Sequence, residues 1–312
     1  MIISASYKTD IPAFHGRWFL NRLDAGFCAV VNPYGRQVHR IDLSPAAVDG
    51  FVFWTRNAWP FMDALETVAR RGHPFMVQVT LTGYPRVLET NVLDAARSVE
   101  QIRALRGRWG PRAVVWRYDP IVLSSLTGAD WHRANFAGLA RALSGAVDEV
   151  VMSFMQPYRK TVRNLDAAAR AHGFSWHDPE DGGKRALLAD LAAIAAGEGM
   201  APSLCTQPHL LDVPGVSAAR CVDTLRLADV AGRPVAGRRK GNRPGCDCAE
   251  SRDIGDYDTC VQGCAYCYAV ASRPAALRRA KAHDPDGDFL VAPAAPAQSS
   301  AGSKATVDPS SS

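Results

Sequence analysis

Six short runs of apolar and β-branched residues, set apart by longer Ala- and Leu-rich stretches, constrain what this chain can fold into more than any other feature. The runs cover residues 2–6, 50–55, 75–82, 113–118, 149–154 and 202–206. Between them, residues 63–71, 91–107, 131–144, 160–172 and 184–198 carry apolar side chains at three- and four-residue spacing, the period of a helix buried along one side. This alternation is the rhythm of βα units around a parallel sheet, and it predicts an α/β chain built as a β/α barrel, whole or partial. Residues 27–43 interrupt the rhythm. There Pro33 and Gly35 separate two apolar runs, which predicts a hairpin inserted before the next barrel strand. Past about residue 282 the pattern ends, and residues 283–312, rich in Pro, Ala, Ser, Gly and Asp, are expected to form a disordered tail.

Late in the chain stands Cys260-Val261-Gln262-Gly263-Cys264-Ala265-Tyr266-Cys267, a CxxxCxxC triplet with an aromatic residue before its last cysteine. Three thiolates on one short loop can hold three corners of a cubane iron–sulfur cluster and leave one iron without a protein ligand. A structural zinc site, or three unrelated thiols, are the competing readings. The spacing and the aromatic position are similar to those of radical S-adenosylmethionine (SAM) enzymes, and Gly263 with Tyr268-Ala269 resembles the spore photoproduct lyase-like branch. Residues 1 to about 282 also resemble a family of uncharacterised bacterial proteins that carry such a motif near the C-terminus. The resemblance implies a [4Fe–4S] cluster on Cys260, Cys264 and Cys267, SAM at its open iron, and backbone near Tyr266 against the adenine. It further implies a small electron donor of the flavodoxin or ferredoxin type.

In the enzymes that the motif resembles, the cluster loop follows the first barrel strand and opens into the first helix. Here residues 253–259 are expected to supply that strand and residues 269–281 the helix, with strand 2–6 beside them. The fold implied is a radical SAM-type β/α barrel in circularly permuted order, with a C-terminal cluster loop. Permutation of this kind is tolerated where termini lie close together on the surface. The domain spans residues 1–282, with a cysteine-rich part at 205–268.

In a parallel barrel, functional groups collect at the C-terminal ends of the strands. The strand ends end in polar residues: Tyr7-Lys8-Thr9-Asp10, Trp54-Thr55-Arg56-Asn57, Thr80-Leu81-Thr82-Gly83, Arg117-Tyr118-Asp119-Pro120, Ser153-Phe154-Met155-Gln156 and Cys205-Thr206-Gln207. Any one of them can equally be a strand-ending cap or turn residue. Two of the ends resemble elements of lyase-like radical SAM proteins, Phe51 to Asn57 their W-T-K-N element and Arg117 to Ile121 their R-x-x-P-I strand. Arg56, Asn57, Arg117 and Asp119 are therefore expected at the mouth, where an arginine can pair bidentately with a carboxylate of SAM or of substrate. A Gly-Gly-Glu element of the kind many radical SAM enzymes use for the methionyl amine is absent from the sequence.

Of the eight cysteines, the triplet leaves Cys205, Cys221, Cys246 and Cys248 in the C-terminal half and Cys28 elsewhere. Four thiolates suit an auxiliary iron–sulfur cluster or a tetrahedral zinc ion. Alternatively, Cys205 and Cys221 are buried small hydrophobes, and Cys246 or Cys248 caps the first cluster. With 47% hydrophobic and 21% charged residues, the 312-residue chain has ample material for a core. No signal-peptide pattern and no run of about 18 apolar residues appears, so a cytoplasmic protein with no membrane span is expected, and in a reducing compartment cysteines serve metals rather than disulfides. The net charge of +5 is concentrated in part between Arg233 and Arg243, through Arg238, Arg239 and Lys240. That stretch reads either as a solvated connector or as a contact for nucleic-acid phosphates. No HxH or HxxxH pair, Gly-Lys-Ser phosphate loop or Gly-x-Ser-x-Gly elbow occurs, which argues against nucleotide and serine hydrolases. The expected function is reductive cleavage of SAM to a 5′-deoxyadenosyl radical acting on a substrate the sequence does not identify. The alternatives are a non-catalytic iron–sulfur electron carrier or redox sensor, and a zinc-stapled nucleic-acid-binding module.

Overall fold

The computed structural model describes residues 1–32, 35–241 and 243–293. The chain begins with β1 (Ile2–Ala5), α1 (Ile11–Phe14) and α2 (Gly16–Ala25), followed by a hairpin of β2 (Phe27–Val31) and β3 (Val38–Asp42). Next come β4 (Gly50–Thr55), α3 (Met62–Arg70), β5 (Phe75–Thr80), α4 (Ala95–Trp109), β6 (Val114–Ile121), β7 (Leu123–Ser124) and α5 (Ala129–Leu143). They are followed by β8 (Glu149–Phe154), α6 (Arg159–His172), β9 (Trp176–His177), α7 (Asp181–Gly197), β10 (Ala201–Leu204) and β11 (Ser217–Ala218). The described chain ends with α8 (Thr224–Ala231), β12 (Ser251–Asp253) and α9 (Arg273–Lys281).

Eight strands make one sheet in the order β11-β10-β8-β6-β5-β4-β1-β12. Every pairing in it is parallel. Each of the six sequence-read runs is a strand of this sheet. Among the described residues the sheet does not close on itself, because β11 and β12 stand at opposite edges. The fold is therefore an α/β arrangement of a parallel sheet flanked by helices. The inserted hairpin is present, with Phe27 opposite Asp42; Pro33 of its expected turn lies outside the described residues. The strand expected at 253–259 is instead Ser251–Asp253, and it pairs in parallel with β1 in the register Ile2 to Ser251 and Ser4 to Asp253. Residues 283–293, which the sequence assigns to a tail, pack on α2: the Trp18 indole N–H donates to the Gly287 carbonyl at 3.0 Å, and Leu290 is buried. Residues 294–312 lie outside the described residues.

Strand order that advances steadily from β1 to β10 sets α2, α3, α4, α5 and α7 on one face of the sheet. That face is the main core. Phe51, Phe53, Val77, Trp116 and Met152 of the strands pack there against Phe19 of α2, Leu65 of α3, Ile102 of α4, Phe136 of α5 and Leu188 of α7. Alternate strand residues, Ile2, Val52, Met76, Val115 and Val151, point to the other face, where α8 and the segment around Cys221, Val235 and Cys248 cover them. Arg226 on α8 is buried and bridges Asp148 at 2.9 Å and Glu149 at 2.8 Å, which locks α8 under the start of β8.

Phe53 is enclosed and meets the rings of Phe19, Phe51, Phe61 and Phe75. Phe53→Ala is expected to cost about 3–5 kcal/mol in denaturant unfolding. A loss below about 1 kcal/mol would mean that the ring is not held as described.

His132 is enclosed between the Tyr118 hydroxyl at 2.8 Å and the Val122 carbonyl at 3.0 Å. Burial pushes its pKa from 6.5 down to about 4. Burial does the same to His15, with His283 adding to it. The unfolded chain takes up these protons at higher pH than the folded one, so stability present at neutral pH is lost as pH falls from about 6.5 towards 4. The denaturant midpoint is expected to drop across that window and less steeply in His132→Gln; a midpoint flat across it in the parent protein would contradict the assignment.

Candidate functional site

The 260–267 loop sits at the C-terminal ends of the strands, held from two sides. On one side it lies along residues 88–91: Ala265 N–H donates to the Leu88 carbonyl at 2.9 Å, Asn91 N–H to the Gln262 carbonyl at 2.9 Å, and Glu89 bridges Cys264 in antiparallel fashion. Gly263 has φ +76° in that contact, and a Cβ there would come within 3.1 Å of Thr90. A glycine is needed on both counts. On the other side α6 holds the chain beyond the loop, where Asn164 Nδ2 donates to the Val270 carbonyl at 3.2 Å.

Beneath the loop lies a buried polar network. The Asp10 carboxylate accepts from Thr55 Oγ1 at 2.6 Å, Arg56 N–H at 2.9 Å, Gln262 Nε2 at 3.0 Å and Ala13 N–H at 3.1 Å. One side chain thus joins the ends of β1 and β4, the start of α1 and the cysteine loop. Burial raises the Asp10 pKa, opposed by these four hydrogen bonds. Arg56 forms an ion pair with Glu89 at 2.9 Å and donates to the Tyr266 hydroxyl at 2.5 Å. Tyr266 donates in turn to Glu89, which also accepts from Thr82 Oγ1 at 2.5 Å.

Cys260 feels the charges of Cys264 and Cys267, and Cys264 that of Cys267. Burial raises all three, Cys264 to about 12, and Asp10 raises Cys260 further. Backbone N–H groups oppose this, that of Gln262 at Cys260 and those of Ala269 and Val270 at Cys267. Half-buried thiols that hold their protons so tightly ionise when a metal displaces the proton, and N–H groups aimed at sulfur are the support that metal thiolates require. The donor chemistry fits a thiolate-ligated cluster. As the side chains stand, however, no three His, Cys, Asp or Glu donors among the described residues close around a point a single metal ion could occupy.

The other expected mouth residues have different partners. Asn57 ends β4: its Oδ1 accepts Trp59 N–H at 3.1 Å, the local turn role that its residue type allows. Arg56 is at the loop, but its guanidinium is committed to Glu89 and Tyr266 rather than turned to a ligand. Arg117 lies on the other face of the sheet, paired with Asp119, stacked 5.1 Å from Trp54 and donating to Cys221 Sγ at 3.0 Å. Asp119 also accepts from Ser153. The same region gathers the remaining C-terminal cysteines: Cys221 and Cys205 sulfurs are 3.7 Å apart, and Cys248 lies close enough to Cys221 and Cys246 to influence both thiols. Tyr268 lies between the two groups, within reach of the charges of Cys267, Arg243 and Asp119. Cys28 is apart from both, on β2 of the hairpin and buried against the main core.

Glu89 and Gln262, which complete the network under the loop, were not among the sequence candidates. Glu89 is the carboxylate in an otherwise apolar Val87-Leu88-Glu89 turn, a signal of burial once a partner is known. Part of the basic stretch is paired within the chain: Arg238 and Lys240 share Glu250, at 3.2 and 2.8 Å, and Arg239 meets Asp247, two carboxylates against five cations. A cavity of about 310 Å³ lies between Met1, Arg238 and Glu250 at the start of β1, away from the 260–267 loop. No described helix is long and apolar enough to cross a membrane.

A family profile described as "Domain of unknown function (DUF1848)" matches residues 2–269. The chain belongs to this family. The family span takes in all eight strands of the main sheet and the whole 260–267 loop, and ends before α9. No curated protein and no solved structure matches the chain.

Arg56 and Glu89 are both nearly inaccessible to solvent. Glu89→Ala leaves a buried guanidinium short of its counter-charge, and is expected to cost about 3–5 kcal/mol in denaturant unfolding, while an Arg56→Met/Glu89→Leu double variant recovers much of the loss. A Glu89→Ala cost within the range of an exposed pair, below about 1 kcal/mol, would refute the buried network.

Proposed function

We propose that this protein is a radical SAM-type enzyme whose barrel is partial and circularly permuted, with Cys260, Cys264 and Cys267 as the ligands of a [4Fe–4S] cluster. The observation that carries the reading is the position of the triplet. Counted from β12, the sheet order β12-β1-β4-β5-β6-β8-β10-β11 is also chain order, so the cysteine loop follows what acts as the first strand and leads into the first helix, α9. A loop in that place faces the strand ends where parallel α/β sheets put their chemistry.

When bound there, the cluster with SAM at its open iron supplies a one-electron reductive cleavage to 5′-deoxyadenosine-level chemistry, with the electron delivered by a flavodoxin- or ferredoxin-type donor. This chain's own residues do the rest. Asp10 and Gln262 fix the height of the loop above β1 and β4. Glu89, Arg56 and Tyr266 fill the space below it and exclude water. Lys8, just past the end of β1, is paired with Asp253 at 3.5 Å. The substrate is left open.

After anaerobic reconstitution with iron and sulfide and reduction with dithionite, the protein is expected to convert SAM to 5′-deoxyadenosine and methionine. Alanine at Cys260, Cys264 and Cys267 together is expected to abolish both the reduced-cluster electron paramagnetic resonance (EPR) signal and this product. A complete cluster with no SAM cleavage would instead favour the electron carrier or redox sensor.

A further inference from the structure

We infer that Cys205, Cys221, Cys246 and Cys248 form a tetrathiolate site for a single zinc ion that staples the covering segment to the sheet, independently of the 260–267 loop. The four residues come from three separated pieces of chain. Cys205 directly follows β10 and extends its ladder, with its N–H donating to the Met152 carbonyl at 2.8 Å. Cys221 follows β11 and is tied to the sheet by Gln78 Nε2, which donates to its carbonyl at 3.0 Å. Cys246 and Cys248 lie on the return from the 233–243 excursion, where Ala249 N–H donates to the Val222 carbonyl at 3.0 Å.

The Cys205 and Cys221 sulfurs are in contact, and Cys248 is the neighbour of both Cys221 and Cys246. The spacing discriminates between the two kinds of metal group that four thiolates can hold. Zinc–sulfur bonds of about 2.3 Å in a tetrahedron put neighbouring sulfurs about 3.8 Å apart. The observed Cys205–Cys221 separation is 3.7 Å. A cubane cluster spreads its thiolates over four irons and sets their sulfurs much further apart, so an auxiliary cluster would have to push this pair open. A disulfide would have to bring it in to about 2.05 Å. The chain of thiols is not yet a closed tetrahedron, consistent with the lack of a three-donor metal group among the described residues. Cys246 is half-buried on an irregular loop, and since Cys205, Cys221 and Cys248 do not by themselves form a three-donor group among the described residues, closure needs small rotations of more than one of these side chains.

The surroundings point to thiolates. Arg117 Nη1 is 3.0 Å from Cys221 Sγ, Arg243 Nη2 is 3.8 Å from Cys205 Sγ, and Val222 N–H donates to Cys248 Sγ at 3.4 Å. Two guanidinium groups and a backbone N–H aimed at sulfur would be poorly spent on neutral thiols. Around zinc they offset the charge: four thiols release four protons to solvent, the ion brings +2, and the complex carries −2. With all four positions taken by protein the site is closed, as structural zinc sites are, and its role is to hold the 219–250 segment across the sheet.

The test is metal analysis of the full chain purified without reconstitution, in the parent and in the Cys260→Ala/Cys264→Ala/Cys267→Ala variant, which removes the proposed cluster ligands and separates this site from that reading. Both are expected to carry about one zinc per chain, and cobalt exchanged into either is expected to give the intense visible bands of a tetrahedral tetrathiolate. Cys246→Ser is expected to weaken zinc at least about tenfold in chelator competition, while Cys246→His, which keeps a ligand, retains it. Iron with sulfide at these four cysteines in the triplet variant, four freely titratable thiols with no metal, or a mass two hydrogens lighter from a disulfide would each overturn the proposal.

Discussion

Parallel pairing of β1 with β12 brings together residues about 250 positions apart, and the placement of the cysteine loop depends on it. The Asp253 carboxylate holds the pair: Ser4 Oγ donates to it at 2.8 Å, Ser6 Oγ at 2.6 Å, Tyr7 N–H at 3.0 Å and Gly255 N–H at 3.0 Å. Four donors on one carboxylate satisfy polar groups that a three-residue edge strand alone would leave unpaired. The tight approach of Gly255 to Ser6, whose Oγ lies 2.1 Å from where a Cβ would stand, explains the glycine at that turn. From there the chain rises directly into the loop, so a short polar contact decides where the late motif ends up.

The sheet has two faces with different duties. The helix side is apolar throughout and supplies the stability, through clustered aromatic rings such as Phe19, Phe51, Phe53 and Phe61. The other side is apolar only near the strand starts, at Ile2, Val52, Met76 and Val115, and becomes polar towards the ends, with Trp54, Gln78, Arg117 and Ser153. Burying that gradient requires partners for each polar group. Thiols, arginines and carboxylates on the covering segment and the cysteine loop provide them.

The central strands were legible because each is buried on both faces and so reads as an unbroken apolar run; Phe75 to Thr80 is an example. β12 was displaced in the reading because Ser251-Arg252-Asp253 has no apolar signal: its pairing rests on backbone and on Asp253. The α2 helix was passed over although Trp18, Phe19, Arg22 and Leu23 are all buried on one side of it. Residues 283–293 carry too few apolar groups to suggest order, but Trp18 and Arg22 on α2 supply the donors that hold them. At the site, the strand-end residues were visible and their partners were not. Arg56 was expected to await a carboxylate from a ligand, and Glu89, some thirty residues on, meets it instead. Such pairings depend on which loops the sheet order sets side by side, which no local pattern records.

The most direct measurement of the central claim is Mössbauer spectroscopy of protein reconstituted with iron-57, before and after SAM is added. Three thiolates on one loop leave one iron of a cubane without a protein ligand. The account requires that one of the four irons respond to SAM with a distinct, higher-coordinate signal while the other three stay alike. Four irons that remain equivalent with SAM present, or iron bound singly without sulfide, would contradict it.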